Sequence, residues 1–290
     1  MSDNDPLRID AASTVLFPLQ PSFTHKRTDT LWAGKAQLEY RPSRDLLLYV
    51  GVNRGVKGGS YNAKLPDGTP PLAAGQIPYL PEEILSYEGG FKATFLDGKA
   101  TFNAAGFYYD YSNYQAFTFA NVSGYVQNRP ARTYGAEVEL SLRPLDGLQL
   151  DAAASFFNAR VKGLEVAPGV KRDVRPAFAP ETQLSGRISY TPAVTVAGGK
   201  LTFGADASYT SGFYHNLRNF DANWLSSYAL FNARIGWEDE AERFRLAFFV
   251  NNIGDKRYKT VGYDLSTLCG CTEESYGRPR WWGVTAGFTL

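Results

Sequence analysis

The closing segment, Gly277–Leu290 (GRPRWWGVTAGFTL), constrains the fold more than any other stretch of this chain. From Trp282 every second residue is apolar: Trp282, Val284, Ala286, Phe288 and Leu290. Gly283, Thr285, Gly287 and Thr289 lie between them. Successive side chains of a strand point to opposite faces, so one face here is greasy and the other small or polar. Such a strand suits a membrane β-barrel, whose outer face meets lipid and whose inner face meets the lumen. Taken alone, it also suits the last strand of a soluble sandwich.

The same two-faced pattern recurs along the chain. Trp32, Ala36, Leu38 and Tyr40 alternate with Lys35, Gln37 and Glu39. Tyr87, Phe91, Ala93 and Phe95 alternate with Glu88, Lys92 and Thr94. Leu201, Phe203, Ala205, Ala207 and Tyr209 alternate with Thr202, Asp206 and Ser208. Segments around Val138, Leu150, Ile188 and Ile235 behave alike. Leu46–Val52 is apolar on both faces, and Phe102–Tyr111 mixes its faces. The pattern predicts about eleven strands beginning near Thr30, with roughly alternating faces. Arg187, Asp206, Arg234 and Arg245 interrupt greasy strands. A charge facing lipid at mid-depth costs about 2–4 kcal/mol for Arg or Lys, so these side chains should face the lumen.

The connections alternate in length. Pro42–Asp45, Leu96–Lys99, Pro144–Gly147 and Glu238–Glu242 are tight polar turns, and Pro192–Lys200 belongs with them by position. The links Tyr61–Glu83, Phe119–Tyr125, Val161–Pro180, Ser211–Ser227 and Lys259–Pro279 read as long. One end of the sheet is therefore trimmed and the other decorated, as in outer-membrane barrels with short periplasmic turns and longer extracellular loops. Aromatic residues fall near strand ends, where interfacial girdles would place them.

Composition narrows the class. A net charge of +1 offers no basic patch for nucleic acid. No window approaches about 18 consecutive apolar residues, which excludes helical membrane spans but not a barrel. The two His residues, His25 and His215, lie in loops, and no H-E-x-x-H, Walker loop or G-x-G-x-x-G occurs. The glycines Gly51, Gly55, Gly58 and Gly59 read as a strand end where the chain bends or approaches another surface. The reading is therefore not an enzyme, with no catalytic residues, cofactor or resident metal. Cys269 and Cys271 form a C-x-C in the last long link. A local disulfide, free thiols or thiols paired elsewhere, and metal ligation all remain open.

Several segments carry a resemblance in order and spacing: LLLYVGVNRGVKGGSYN (Leu46–Asn62), PEEILSYEGGFKATFLDGKATFNAAGFYYDYSNYQ (Pro81–Gln115), RTYGAEVELSLRP (Arg132–Pro144), FVNNIGDKRY (Phe249–Tyr258) and YGRPRWWGVTAGFTL (Tyr276–Leu290). The chain resembles the C-terminal half of a TonB-dependent outer-membrane receptor. The resemblance implies an all-β fold: an antiparallel transmembrane β-barrel, of which these eleven strands are part of a larger, 22-stranded, plugged barrel. Residues 30–290 would be barrel, and residues 1–29 a loop or the end of an incomplete upstream segment. MSDNDPLRIDAAS shows neither a basic nor an apolar leader region, so the expectation is that the signal peptide, plug domain and first half of the barrel are absent. The family usually ends in an aromatic residue, whereas Leu290 is last here and Phe288 lies two before it.

By the same resemblance, the implied function is import of a scarce nutrient, most often a ferric siderophore, across the bacterial cell outer membrane. The implied partners are outer-membrane lipid, the missing plug and barrel half, the TonB energy-coupling complex acting through that plug, and a small-molecule nutrient ligand. Aromatic and polar link residues become candidate ligand contacts: Tyr61, Tyr79, Tyr114, Phe117, Tyr125, Phe213, Tyr214, His215, Arg218, Trp224 and Tyr263. Flat rings and cations suit an anionic aryl chelate. Packing between loops would explain any single one of them equally well. A passive porin, a barrel anchoring an adhesin and a soluble all-β binding protein are the competing classes.

Overall fold

The computed structural model describes residues 25–62, 74–120, 123–265 and 269–289. Eleven strands follow one another as an antiparallel meander, each hydrogen-bonded to the next in sequence order. They are β1 (Gly34–Ser43), β2 (Leu46–Lys57), β3 (Glu82–Phe95), β4 (Ala100–Ala120), β5 (Ser123–Leu142) and β6 (Leu148–Ala167). The path continues through β7 (Thr182–Tyr190), β8 (Gly199–Thr210), β9 (Tyr228–Asp239), β10 (Phe244–Asn251) and β11 (Trp281–Phe288). Two short 3-10 turns, Ala74–Gln76 and Asp221–Asn223, lie in the links.

Register assembles the alternation into two continuous faces. Phe203 lies opposite Tyr190 and Ile235, Phe248 opposite Ile235 and Val284, and Phe244 opposite Phe288. Directly opposed residues share a face, so these side chains form one apolar surface. Trp282 on it is 69 % exposed. The other face carries a polar row running Thr94, Thr101, Ser141, Asp151, Arg187, Asp206, Asn232 across seven strands. Arg234 and Arg245 lie on this polar face too, as the cost of a lipid-facing charge requires.

On β5 the apolar face spans Leu142 to Tyr134, about 27 Å of strand. At a tilt near 40° that is about 20 Å of height, comparable with the apolar band of an outer-membrane barrel. Tyr87, Tyr108 and Tyr134 cap it side by side. Both ambiguous runs resolve. Leu48, Val50 and Val52 join the apolar face opposite Phe91, Gly89 and Tyr87. Phe107 and Tyr109 turn to the polar face, stacked 4.9 Å apart.

All five trimmed connections lie at one end of the meander. Two residues, Arg44 and Asp45, join β1 to β2, while Leu96, Asp97 and Gly98 turn β3 into β4 with positive φ. Gly147 holds φ 76° against the Thr191 carbonyl, and a Cβ there would collide with that oxygen.

Two expectations are corrected. Phe119–Tyr125 is not a long link, because β4 and β5 stay paired as far as Ala120 and Ser123; the turn between them, 121–122, lies outside the described residues. The first strand starts at Gly34, so Trp32 precedes it and instead lies 4.1 Å from the Arg54 guanidinium. Among the four clustered glycines, Gly59 makes the close backbone approach, since a Cβ there would sit 2.5 Å from the Tyr79 carbonyl oxygen; Gly58 faces open space. Of the segment read as upstream loop, residues 1–24 lie outside the described residues.

Among the described residues strands β1 and β11 pair on one side only. Their outer edges present backbone N–H and C=O groups that hydrocarbon cannot satisfy, at several kcal/mol each. The sum, on the order of tens of kcal/mol, exceeds the net stability of about 5–15 kcal/mol of a typical domain. The 290-residue chain expressed alone behind a signal peptide is therefore expected to give no heat-modifiable, protease-resistant barrel; recovery of one on a gel would refute this. In the membrane-inserted protein, Phe203→Cys should react with a lipid-soluble thiol reagent and Asp206→Cys with a water-soluble one. Reversed labelling would place the faces the other way round.

Candidate functional site

The decorated end of the sheet is built partly from strand. β4, β5 and β6 run well beyond the apolar band, and Val170–Val174 folds back on β6 as an added strand. Above the band these segments make a small core of their own. Ala116, Ala131, Val161, Leu164, Val166, Val174 and Leu217 are buried together, with Tyr111, Tyr114 and Phe220 packed against them. Leu217 and Phe220 come from the 211–227 link, so this core joins loop to wall.

Side-chain amides attach the 58–81 link, those of Asn62 and Gln115 buried. Asn62 donates to the carbonyls of Gln76 (2.8 Å) and Val126 (2.9 Å) and accepts from the Val126 N–H (2.7 Å). Gln115 donates to the Gly58 carbonyl (2.8 Å), and Asn128 accepts from the Leu80 N–H (2.6 Å). Each amide replaces backbone pairing that irregular chain lacks. Asn219 does the same for Arg175, accepting its N–H at 2.6 Å and donating to its carbonyl at 3.0 Å.

Ion pairs join the remaining links. Glu181 bridges Arg160 (3.2 Å) and Arg175 (3.1 Å), and the Arg175 guanidinium lies 5.8 Å from the Trp224 ring. The last link is a hairpin of Lys259–Leu265 and Cys271–Tyr276. Its Asp264 receives Arg218 at 2.7 Å, with side chains 2 % and 11 % exposed. His215 is buried against Gly262, where a Cβ would come within 2.7 Å of the imidazole Nε2. Burial holds the His215 imidazole below its ordinary range, against the opposing pull of Asp264 and Glu274. At the hairpin base Arg257 lies 4.3 Å from the Tyr276 ring.

The candidate residues fall into two kinds. Phe213, His215 and Arg218 are buried and hold loops together: Phe213 packs 6.0 Å from Phe178, and the other two dock the 211–227 link on the last hairpin. Tyr114 packs against the upper core, Tyr125 accepts a hydrogen bond from Gln127 at 2.9 Å, and Tyr214 stands edge-on to Trp224 at 4.8 Å. Tyr79 pairs with Ser60, and its carbonyl accepts from Arg27. Tyr61, Phe117 and Tyr263 present their rings, 37 %, 54 % and 56 % exposed; Tyr61 also bonds His25 at 2.8 Å. Sequence reasoning missed Asn62, Gln115, Asn128, Asn219, Glu181 and Asp264, which fix this canopy. Their only signal was amides and acids among the aromatics of strand tips and links.

Cys269 and Cys271 are joined by a disulfide at the hairpin tip. Among the described residues no group of three His, Cys, Asp or Glu side chains is placed to hold a metal ion. The arrangement can present rings and polar groups to a ligand.

Breaking the buried pair should free the 211–227 link. Asp264→Asn leaves Arg218 buried without its counter-charge, at a cost of about 3–5 kcal/mol to docking. Amide exchange across 211–227 should accelerate while the staves stay protected; unchanged exchange would show that the pair does not hold the loop. The pH dependence follows from His215. Its docked pKa is depressed, so the undocked state binds more protons and docking strengthens as pH rises towards about 6.5. Protection in this link, taken relative to the intrinsic exchange rate at each pH, should therefore fall on acidification below that value, and His215→Gln should flatten the dependence.

Comparison with known proteins accords with this architecture. A family model described as "TonB dependent receptor-like, beta-barrel" matches residues 7–253. The pesticin receptor of Yersinia pestis is 25 % identical over 254 residues, covering 82 % of this chain and 33 % of that protein. The probable TonB-dependent siderophore receptor PiuA of Acinetobacter baumannii is 23 % identical, covering 83 % and 32 % respectively. The crystal structure of the ferric yersiniabactin uptake receptor FyuA from Yersinia pestis superposes with a TM-score of 0.70 at 20 % identity, over 88 % of this chain and 37 % of that one. The chain thus spans about a third of the length of these relatives. With its staves, two-faced register and canopy of links, the chain belongs to the β-barrel family of TonB-dependent receptors of the outer membrane.

Proposed function

We propose that this chain is the transport-barrel portion of a receptor that imports a ferric siderophore with energy from the TonB system. The observation that carries the reading is the family match across 7–253, joined to an aromatic canopy on the end opposite the tight turns. Relatives named as siderophore or ferric-chelate receptors support it. In this reading the trimmed end is periplasmic, the canopy is extracellular, and a plug carried elsewhere in the receptor receives the energy-coupling protein. Tyr61, Phe117 and Tyr263 meet the chelate first, and the buried His215 and Arg218 hold the surface in shape. Rings of this kind stack on aryl groups, and nearby cations attract the negative charge of the complex.

The test is uptake of radiolabelled ferric siderophores by a strain lacking its own receptors, supplied with this receptor as its gene encodes it. Uptake should saturate and vanish when the energy-coupling protein is deleted. Phe117→Ala with Tyr263→Ala should raise the half-saturating concentration about tenfold, as expected for the loss of two ring contacts. Uptake that survives deletion of the coupling protein would point to a passive pore and overturn the proposal.

A further inference from the structure

The Cys269–Cys271 disulfide closes a ring around a single residue at the tip of the last hairpin. Alternate residues of a strand stand about 7 Å apart. Gly270, at φ 65°, brings the two Cα atoms to 5.3 Å and so lets the sulfurs meet. Both cysteines are exposed. The stabilisation a bridge gives grows with the loop it closes, and here that loop is minimal. The hairpin is already held by its own strand pairing, and its underside by the Arg218–Asp264 pair. The bridge is therefore not what keeps this tip folded, and an exposed disulfide is open to attack by thiols.

Register sets the neighbours of the bridge. Leu265 lies opposite Cys271 and Tyr263 opposite Glu273, so these four share one face of the hairpin. Asp264 and Thr272 lie on the other face, the side docked against the 211–227 link. Cys271 thus looks outward with the exposed Tyr263 ring and the exposed Glu273 carboxylate. Glu274 is taken by Lys259 and Tyr276, whereas among the described residues Glu273 forms no ion pair. Cys269 Sγ lies 3.5 Å from the Leu265 carbonyl oxygen, which can accept a hydrogen bond once this sulfur is a free thiol.

We infer that Cys269–Cys271 is a thiol-exchange site that takes a small neutral or cationic thiol from outside the cell, held as a mixed disulfide on Cys271. The incoming thiolate bonds to Cys271 Sγ and the Cys269–Cys271 bond breaks. Its electron pair leaves on Cys269, which takes a proton from water. The incoming sulfur is oxidised and Cys269 is reduced, so the step needs no other oxidant. Attack of Cys269 on the mixed disulfide reverses the step and expels the thiol. Glu273 draws an ammonium group and repels a carboxylate or sulfonate, and the Tyr263 ring offers a cation a second face. The inference rests on the receptor reading above only for placing this tip outside the cell.

The experiment treats intact cells carrying the membrane-inserted receptor, in low-salt medium, with cysteamine or with 2-mercaptoethanesulfonate. A bulky, membrane-impermeant maleimide then traps the freed thiol, and peptide masses locate both adducts. Cysteamine should appear on Cys271 and maleimide on Cys269, and neither when Cys269→Ser is combined with Cys271→Ser. A charge about 7 Å away in water changes each rate about two- to threefold, in opposite senses for the two thiols. Glu273→Gln should therefore lower the ratio of the cysteamine rate to the sulfonate rate about fivefold. Absence of adducts in intact and permeabilised cells alike, or a ratio unmoved by Glu273→Gln, would overturn the inference. If the serine pair fails to insert, the Glu273→Gln comparison decides alone. Maleimide labelling that appears only after the outer membrane is permeabilised would instead overturn the orientation in the receptor reading.

Discussion

The backbone hydrogen-bond ladder governs this molecule. A strand crossing hydrocarbon must pair every N–H and C=O with a neighbour, because no water replaces a lost partner. The simplest way to meet that demand is to pair each strand with the next in sequence, and the eleven staves do so without a single crossover. Each connection then needs only to reverse direction. At the trimmed end it does little more, as in the turns at 44–45 and 96–99. Once the ladder is fixed, side chains have only two places to go. Alternation becomes a partition between lipid and lumen, and a slip of one residue would drive Arg187 and Arg234 into lipid.

The decorated end obeys a different logic. Above the band, water is available and the ladder no longer has to continue. Three strands continue nonetheless, and a small core of Val161, Leu164, Val174 and their neighbours forms on them. The links are then bound to this platform by polar contacts, chiefly the Asn62, Gln115 and Asn219 amides and the Arg218–Asp264 pair. A canopy held this way can keep rings exposed without collapsing, because its shape comes from directional bonds rather than from burying those rings. Neighbours on the last hairpin show the contrast: the Tyr263 ring stays exposed, while Asp264 next to it is nearly dry in its pair with Arg218.

Local pattern was enough to specify the staves. Period-two alternation in Leu201–Tyr209 or Trp282–Phe288 has no helical alternative, and the turn residues at Leu96–Lys99 and Pro144–Gly147 mark the reversals. The lumen side of Arg187, Arg234 and Arg245 was legible too, because desolvating a charge costs far more than the strand gains. Packing between distant segments settled the rest. Phe119–Tyr125 reads as loop from its composition, yet pairing between β4 and β5 carries the ladder into it. His215, Arg218 and Phe213 look like ligand contacts in a link rich in aromatics, and only the packing of that link against its neighbours shows them buried. Whether a polar side chain serves a ligand or a neighbouring loop depends on contacts between segments far apart in the chain, and no local periodicity records those contacts.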